Sequence, residues 1–395
     1  MFEALPVKQP DAILKLMLAY RADTRDNKMD LGVGIYKDIN GATPVMKAVK
    51  SAEGKLLQEQ DTKAYVGPLG SPQFNESMIE TVFGKEADTA RLRSAQSPGG
   101  SGALRIIADF INEARPDATV WVSDPTWPNH IPLLSAAGLT LENYPYYDAA
   151  SCTVTLDAML STLQKAKAGD AVLLHGCCHN PTGADLTHDQ WTQVIQLLKD
   201  KDLMPFVDIA YQGFGDGLEE DAWAIREMAK ALPEMMVAAS CSKNLGLYRE
   251  RAGAALLMGR NDSEATTALS NLQTVIRANY SMPPDHGAHV VELVLTDDGF
   301  NANWREELEA MRLRMIQLRT SFADAMRKRT NSDKFDFLIK QKGMFSRLPL
   351  SGEQIDALRE NNAIYIVGDG RINVAGLPDD QAAMGTLADA IAAVL

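Results

Sequence analysis

The chain has 395 residues, 46% of them hydrophobic, enough for a sizeable buried core and for two or three domains. Its formal charge is −13, from 39 basic against 52 acidic residues, with the basic ones dispersed. That balance argues against nucleic acid as a partner, so an anionic ligand has to be caught by locally placed arginines. The four cysteines, Cys152, Cys177, Cys178 and Cys241, form no CxxC pattern. This argues against a disulfide framework or a metal site and for reduced, buried thiols. The N-terminal Met1-Phe2-Glu3-Ala4-Leu5-Pro6 lacks a basic region followed by an apolar core, and no apolar run approaches membrane-spanning length. The expectation is a cytoplasmic protein that binds no membrane.

In chain order, the periodicity first predicts a helix over 11–21, followed by the Gly-broken segment Leu31-Gly32-Val33-Gly34-Ile35. A Gly-rich turn, Ser97-Pro98-Gly99-Gly100-Ser101-Gly102, precedes a helical run over 103–114. Apolar runs at 119–123, 171–175, 204–208, 235–240 and 253–258 read as strands, with helical patterns between them such as 186–199. Strands separated by helices predict an α/β fold on a mainly parallel central sheet. A long helical pattern covers 301–329, with Leu308, Met311, Met315 and Leu318 on its apolar side. Strands are then expected at 335–339, 344–347, 364–367 and 372–374. They suggest a smaller α/β domain of 1–43 plus 311–395, beside a large domain of 44–310, with the long helix as a hinge.

The chemistry gathers behind the expected strands, where a parallel α/β sheet binds its ligands. Ser240-Cys241-Ser242-Lys243-Asn244-Leu245-Gly246 follows one apolar run, and Arg251 stands eight residues beyond the lysine. A lone loop lysine is most often a solvated surface group. A lysine whose charge is suppressed becomes a nucleophile and a proton carrier. The stretch Gly176-Cys177-Cys178-His179-Asn180-Pro181-Thr182-Gly183 follows a second run, and Asp208-Ile209-Ala210-Tyr211-Gln212-Gly213 closes a third. Asn180, Asp208, Tyr211 and Lys243 would therefore converge. Each type meets a need of pyridoxal 5'-phosphate: an amine for the aldehyde, a buried carboxylate for the ring nitrogen, donors for the ring oxygen. Gly100 and Ser101 at a helix start, with Ser240 and Arg251, suit the phosphate. Trp127 would stack on a flat ring, and His130 would bond and fix Asp208.

With these motifs in order, the sequence resembles the aspartate and aromatic aminotransferases of class I, fold-type I pyridoxal-phosphate enzymes. The match runs from Leu31-Gly32-Val33-Gly34-Ile35-Tyr36-Lys37-Asp38 to Gly370-Arg371-Ile372-Asn373-Val374-Ala375-Gly376. The resemblance implies that Lys243 forms the Schiff base with the cofactor. It implies Asp208 on the pyridine nitrogen, Asn180 and Tyr211 on the ring oxygen, and Trp127 over the ring. Gly100, Ser101, Ser240 and Arg251 would hold the phosphate, which Tyr65 would reach from a neighbouring subunit of a homodimer with shared active sites. Arg371 would pair with the substrate α-carboxylate, Gly34 would lie in the segment that closes over it, and Arg277 would cross the dimer interface to read a side-chain carboxylate. The implied reaction is ping-pong transfer of an amino group from aspartate or an aromatic amino acid to 2-oxoglutarate. Leu245 and Met282 depart from the family pattern, and Met282 bears on the pocket near Arg277. The rival readings are β-elimination or decarboxylation on the same fold, or a non-catalytic regulator that binds the cofactor.

Overall fold

The computed structural model describes residues 2–7 and 12–395. Seven strands form the central sheet: β1 (Leu92–Pro98), β2 (Thr119–Asp124), β3 (Thr140–Pro145), β4 (Ala171–His175), β5 (Met204–Ile209), β6 (Met235–Ser240) and β7 (Ala252–Met258). Their order across the sheet is β1-β7-β6-β5-β4-β2-β3. β7 runs antiparallel to both its neighbours, and every other pair is parallel. Successive side chains of a strand point to opposite faces, so a sheet covered on both sides needs unbroken apolar runs. β4 shows this: Ala171 and Leu173 enter one core, Val172 and Leu174 the other.

The five strands expected in this region are present, with ends shifted by a residue at most. β1 and β3 were not expected. Both are sheet edges and carry polar residues, Arg93, Ser94, Gln96 and Ser97 in one, Glu142 and Asn143 in the other. Gln96 is buried because its amide is satisfied: Nε2 donates to Pro284 O at 2.7 Å and Oε1 accepts from Ser71 N at 3.2 Å. A buried polar group with its partners in place costs little, which hides such a strand from a hydrophobicity pattern.

Helix α1 (Gly99–Ala114) begins four residues before the helical pattern did, so the glycines form its first turn. α2 (Asp262–Asn279) ends beside Tyr280. α3 (Asp298–Thr330) is capped by the Asp297 side chain, which accepts from Gly299 N and Phe300 N, and it ends on left-handed Asn331. Its buried stripe, Trp304, Leu308, Met311, Met315, Leu318, Phe322 and Met326, keeps the helical spacing of three and four. Trp304 Nε1 donates to Asn244 O at 2.7 Å and ties this helix to the turn that holds Lys243. The helix expected over 11–21 spans Ala12–Ala22, and Asp11 lies outside the described residues.

The segment 335–339, expected as a strand, is instead a turn leading into the short helix Phe337–Lys340. Its alternation arises because Phe335 in the turn and Phe337 at the helix start both bury their rings, 6.2 Å apart. Of the remaining C-terminal strands, those expected at 344–347 and 364–367 are shorter, and the one expected at 372–374 is shifted by one residue to Arg371–Asn373. Phe345–Arg347 pairs with Arg371–Asn373, and Ile364–Tyr365 pairs with Met29–Asp30. Asn373 Nδ2 donates to Val33 O and Ile35 O, each at 2.7 Å, so the N-terminal segment is laced across the strand that carries Arg371. No described helix is long and apolar enough to cross a membrane.

Candidate active site

The carboxyl ends of β4, β5 and β6 open into one cavity of about 160 Å³. Asn180, Asp208, Tyr211, Ser240 and Lys243 line it. Gly34, Gly100, Ser101, Trp127 and Arg251 line it too. Lys243 sits in the turn after β6, whose chain reversal is closed by Gly246 N donating to Lys243 O at 3.0 Å. Its Nζ lies 5.1 Å from the centre of the Tyr211 ring. Burial pushes the Lys243 ammonium pKa down, the Asp208 carboxylate opposes this, and the Arg251 cation adds to it, with a net fall. A lysine so held is closer to the neutral amine that nucleophilic and proton-transfer chemistry requires.

Asp208 closes β5. Burial alone would raise its carboxyl pKa, but the bond and charge of His130, with His175 and Lys243, outweigh it and the net direction is down. His130 Nε2 stands 3.0 Å from Asp208 Oδ2. An ionised carboxylate only accepts, so His130 donates from Nε2 and its Nδ1 faces the Thr126 hydroxyl at 2.8 Å. Thr126 Oγ1 is in turn 3.1 Å from His175 Nε2. Burial pushes the His175 imidazole down to about 3, with the His130 charge adding to it, so this ring stays neutral. His130 thus fixes Asp208 as expected. Thr126 and His175 extend the chain of bonds, and nothing in their local sequence marks them, because the contact between the two spans 49 residues.

On the other side, Asn180 Nδ2 donates to Tyr211 OH at 3.5 Å, while Arg371 Nη1 donates to Asn180 Oδ1 at 3.4 Å. Arg371 Nη2 also donates to Gly32 O at 3.0 Å, and its guanidinium lies over the Phe345 ring at 4.4 Å. Arg371 is buried and stands next to the cavity through Asn180. A Cβ on Gly34 would fall 2.9 Å from Phe345 Cζ, so this ring occupies the space a side chain there would need. Phe345 was not singled out from the sequence.

A third group surrounds the start of α1. Gly99 has φ +70°, and a Cβ there would lie 2.6 Å from Arg251 Nη2. A Cβ on Gly100 would meet Ser240 Cβ at 2.9 Å. Arg251 Nη1 donates to Ser242 Oγ at 3.2 Å and to Tyr248 O at 3.1 Å. Free N–H groups of a helix start, two serines and a guanidinium therefore share one corner. Across the cavity the donor set fits pyridoxal 5'-phosphate: anion binding at one end, an amine and a buried carboxylate at the other, with Trp127 half-buried between them, edge-on to His130.

The chain matches the model of the family "Aminotransferase class I and II" over residues 26–391. It belongs to that family. This aminotransferase is 46% identical to the aspartate aminotransferase of Escherichia coli (strain K12), over all of both chains. A solved aromatic amino acid aminotransferase with 3-indolebutyric acid superposes with a TM-score of 0.97 at 45% identity, each chain fully covered. The aromatic-amino-acid aminotransferase from Burkholderia pseudomallei, covalently bound to pyridoxal phosphate, superposes with a TM-score of 0.97 at 41% identity, covering 100% of this chain and 99% of that one.

Two expected site residues lie away from the cavity. Tyr65 is 92% exposed. Arg277 is exposed at the end of α2, where Nη1 donates to Ser281 Oγ. Val66 N donates to Met282 Sδ at 3.3 Å, so the segments carrying Tyr65 and Arg277 meet on one surface patch.

Proposed function

We propose that this aminotransferase uses pyridoxal 5'-phosphate to move the amino group of aspartate or an aromatic amino acid to 2-oxoglutarate, in two half-reactions that share one site. The observation that carries this is the single cavity lined by Lys243, Asp208, Asn180, Tyr211 and the start of α1. When bound, the cofactor supplies an aldehyde that receives the amino group and a protonated ring that draws electrons from the reacting carbon. Asp208, held ionised by His130, keeps a proton on the ring nitrogen. Asn180 and Tyr211 serve the ring oxygen. Gly100, Ser101, Ser240 and Arg251 hold the phosphate, and Trp127 covers the ring. Lys243 Nζ would take the proton from the substrate α-carbon as general base and deliver it, as general acid, to the carbon that carried the cofactor aldehyde. Arg371, already oriented by Asn180, Gly32 and Phe345, pairs bidentately with the substrate α-carboxylate.

Gly34 lies in the segment that closes over the substrate. Tyr65 and Arg277 serve the site of a second copy, which makes the active unit a homodimer with shared sites. The smaller domain is taken as 1–43 plus 311–395, with 44–310 as the large one. The four cysteines are buried and unpaired, which supports a reducing compartment, the cytoplasm.

The test is glutamate formation from 2-oxoglutarate with aspartate, phenylalanine, tyrosine or tryptophan as donor. Glutamate in step with the loss of the donor is expected. Release of ammonia or carbon dioxide without glutamate would overturn the reading in favour of elimination or decarboxylation, and a cofactor-loaded protein that consumes no amino acid would point to a regulator. Sedimentation of the holoenzyme as a monomer would refute the shared site.

A further inference from the structure

Arg319 stands in the middle of α3, outside the cavity, and is 2% exposed. It makes no ion pair with a described carboxylate. Nη1 donates to Leu338 O at 3.1 Å and to Ser346 Oγ at 2.6 Å. Nη2 donates to Lys342 O at 3.0 Å, Gly343 O at 2.9 Å and Phe345 O at 2.6 Å. Burial pushes its guanidinium pKa down to about 10. The buried Asp185 carboxylate favours the cation from beyond ion-pair distance. A buried cation with no carboxylate in direct contact is still an expensive way to fill space, and a packed apolar residue would do so at less cost. What the guanidinium supplies and a methionine would not is a rigid fork that fixes several oxygens at once.

Those oxygens belong to the strand Phe345–Arg347 and the segment that leads into it. That strand pairs with Arg371–Asn373, with Arg347 opposite Arg371. The Phe345 ring carries the Arg371 guanidinium on its face and meets the Tyr211 ring edge-on at 5.8 Å. The same segment also touches the loop of Asn180. Lys342 N donates to Gly183 O at 2.8 Å, and a Cβ on Gly183 would lie 3.3 Å from Arg319 Nη2. Arg319 therefore stands where the chain carrying Arg371 and the chain carrying Asn180 are braced against each other, and these two side chains bond one another at 3.4 Å.

We infer that Arg319 is a positioning residue for the carboxylate clamp: by holding the carbonyls of 338–345 it sets Phe345, and through Phe345 the guanidinium of Arg371 against Asn180. The inference rests on Arg371 and Asn180 receiving the substrate carboxylate. Because the α-carboxylate is common to every amino acid and oxo acid, Arg319 acts on all substrates alike and on capture more than on the chemical step.

The test compares wild-type holoenzyme with Arg319→Lys, which keeps the charge and loses the fork. The expected result is a KM raised about tenfold for aspartate and phenylalanine alike, with kcat moving less than threefold. The Kd of 3-indolebutyric acid, an unreactive monocarboxylate, should rise by the same factor. An unchanged Kd and KM in cofactor-loaded Arg319→Lys, with only the melting temperature lowered, would overturn the inference and leave Arg319 a structural group. A rise confined to aspartate would overturn it too. If Arg319→Lys does not load cofactor, Ser346→Ala, which removes the one side-chain acceptor, decides instead: a Kd raised threefold supports the inference and a wild-type Kd overturns it. Wild-type protein that transfers no amino group refutes the functional reading by itself, while the Kd comparison still answers for Arg319.

Discussion

The cavity and the rim patch are built on opposite principles. The groups that line the cavity come from one chain, from the ends of β4 to β6, the turns after them and after β2, the start of α1 and the N-terminal segment of Gly34, and several are held by partners around them. Asp208 is braced by His130, Asn180 by Arg371, Arg251 by Ser242 and Tyr248. The rim patch of Tyr65, Arg277 and Met282 has almost no such support. Tyr65 projects from the surface, and Arg277 is engaged by the Ser281 hydroxyl of its own turn. A preorganised site gains catalytic power because its dipoles need not reorganise. An exposed patch gains order only against a partner. The proposed roles follow this division, with chemistry in the first region and substrate choice in the second.

The largest break in that division is expected from Lys243→Ala. It should lower kcat by about 10⁴-fold or more, since both the nucleophile and the proton carrier are lost, while absorbance still reports bound cofactor. Activity above one part in a hundred would remove Lys243 from its role. Asp208→Ala should lower kcat by roughly 10³-fold with a far smaller loss of cofactor affinity. Comparable losses in both would show that Asp208 only binds.

The rim is tested by Arg277→Ala, which should reduce kcat/KM for aspartate about 10²-fold and for phenylalanine less than fivefold. Equal losses would show that Arg277 does not read the side chain.

Acid stability probes the bracing of the cavity. His175 has its pKa depressed to about 3, against 6.5 for a free imidazole. The unfolded chain therefore binds a proton that the folded one refuses, so this contribution is complete above pH 6.5 and is lost as pH falls toward 3. Wild-type protein should lose about 2–3 kcal/mol through this group between pH 6.5 and 4, and urea melts of His175→Gln should show a shallower acid slope. Parallel slopes would assign the acid sensitivity elsewhere.

The smallest effect is expected of Met282→Ala, which removes the acceptor of Val66 N–H. About a threefold change in the ratio of aspartate to phenylalanine kcat/KM would show that the tie between the Tyr65 and Arg277 segments matters. An unchanged ratio would show that this tie has no part in substrate choice.

Much of this was legible in the amino-acid order. The runs that became β4, β5 and β6 are apolar until their carboxyl ends because both faces are covered, and the polar residues at and after those ends mark the ligand-binding edge. Lys243, Asp208, Asn180 and Tyr211 follow from that rule alone, and the family resemblance supplied Arg371 and Gly34. The sequence could not reveal β1, whose buried Gln96 is satisfied by Ser71 and Pro284, or the helical turn at 337–340, where Phe337 and the preceding Phe335 imitate a strand. Nor could it reveal Thr126, His175, Phe345 or Arg319 as supports of the site. Each acts through partners in other elements, such as Arg371 for Phe345, and no periodicity records a contact between distant segments. The residue types that do the chemistry were thus set by the chain itself. The brace that aims them was decided by tertiary packing, because a carboxylate, an imidazole or a guanidinium leaves water only where the fold brings its partners to it.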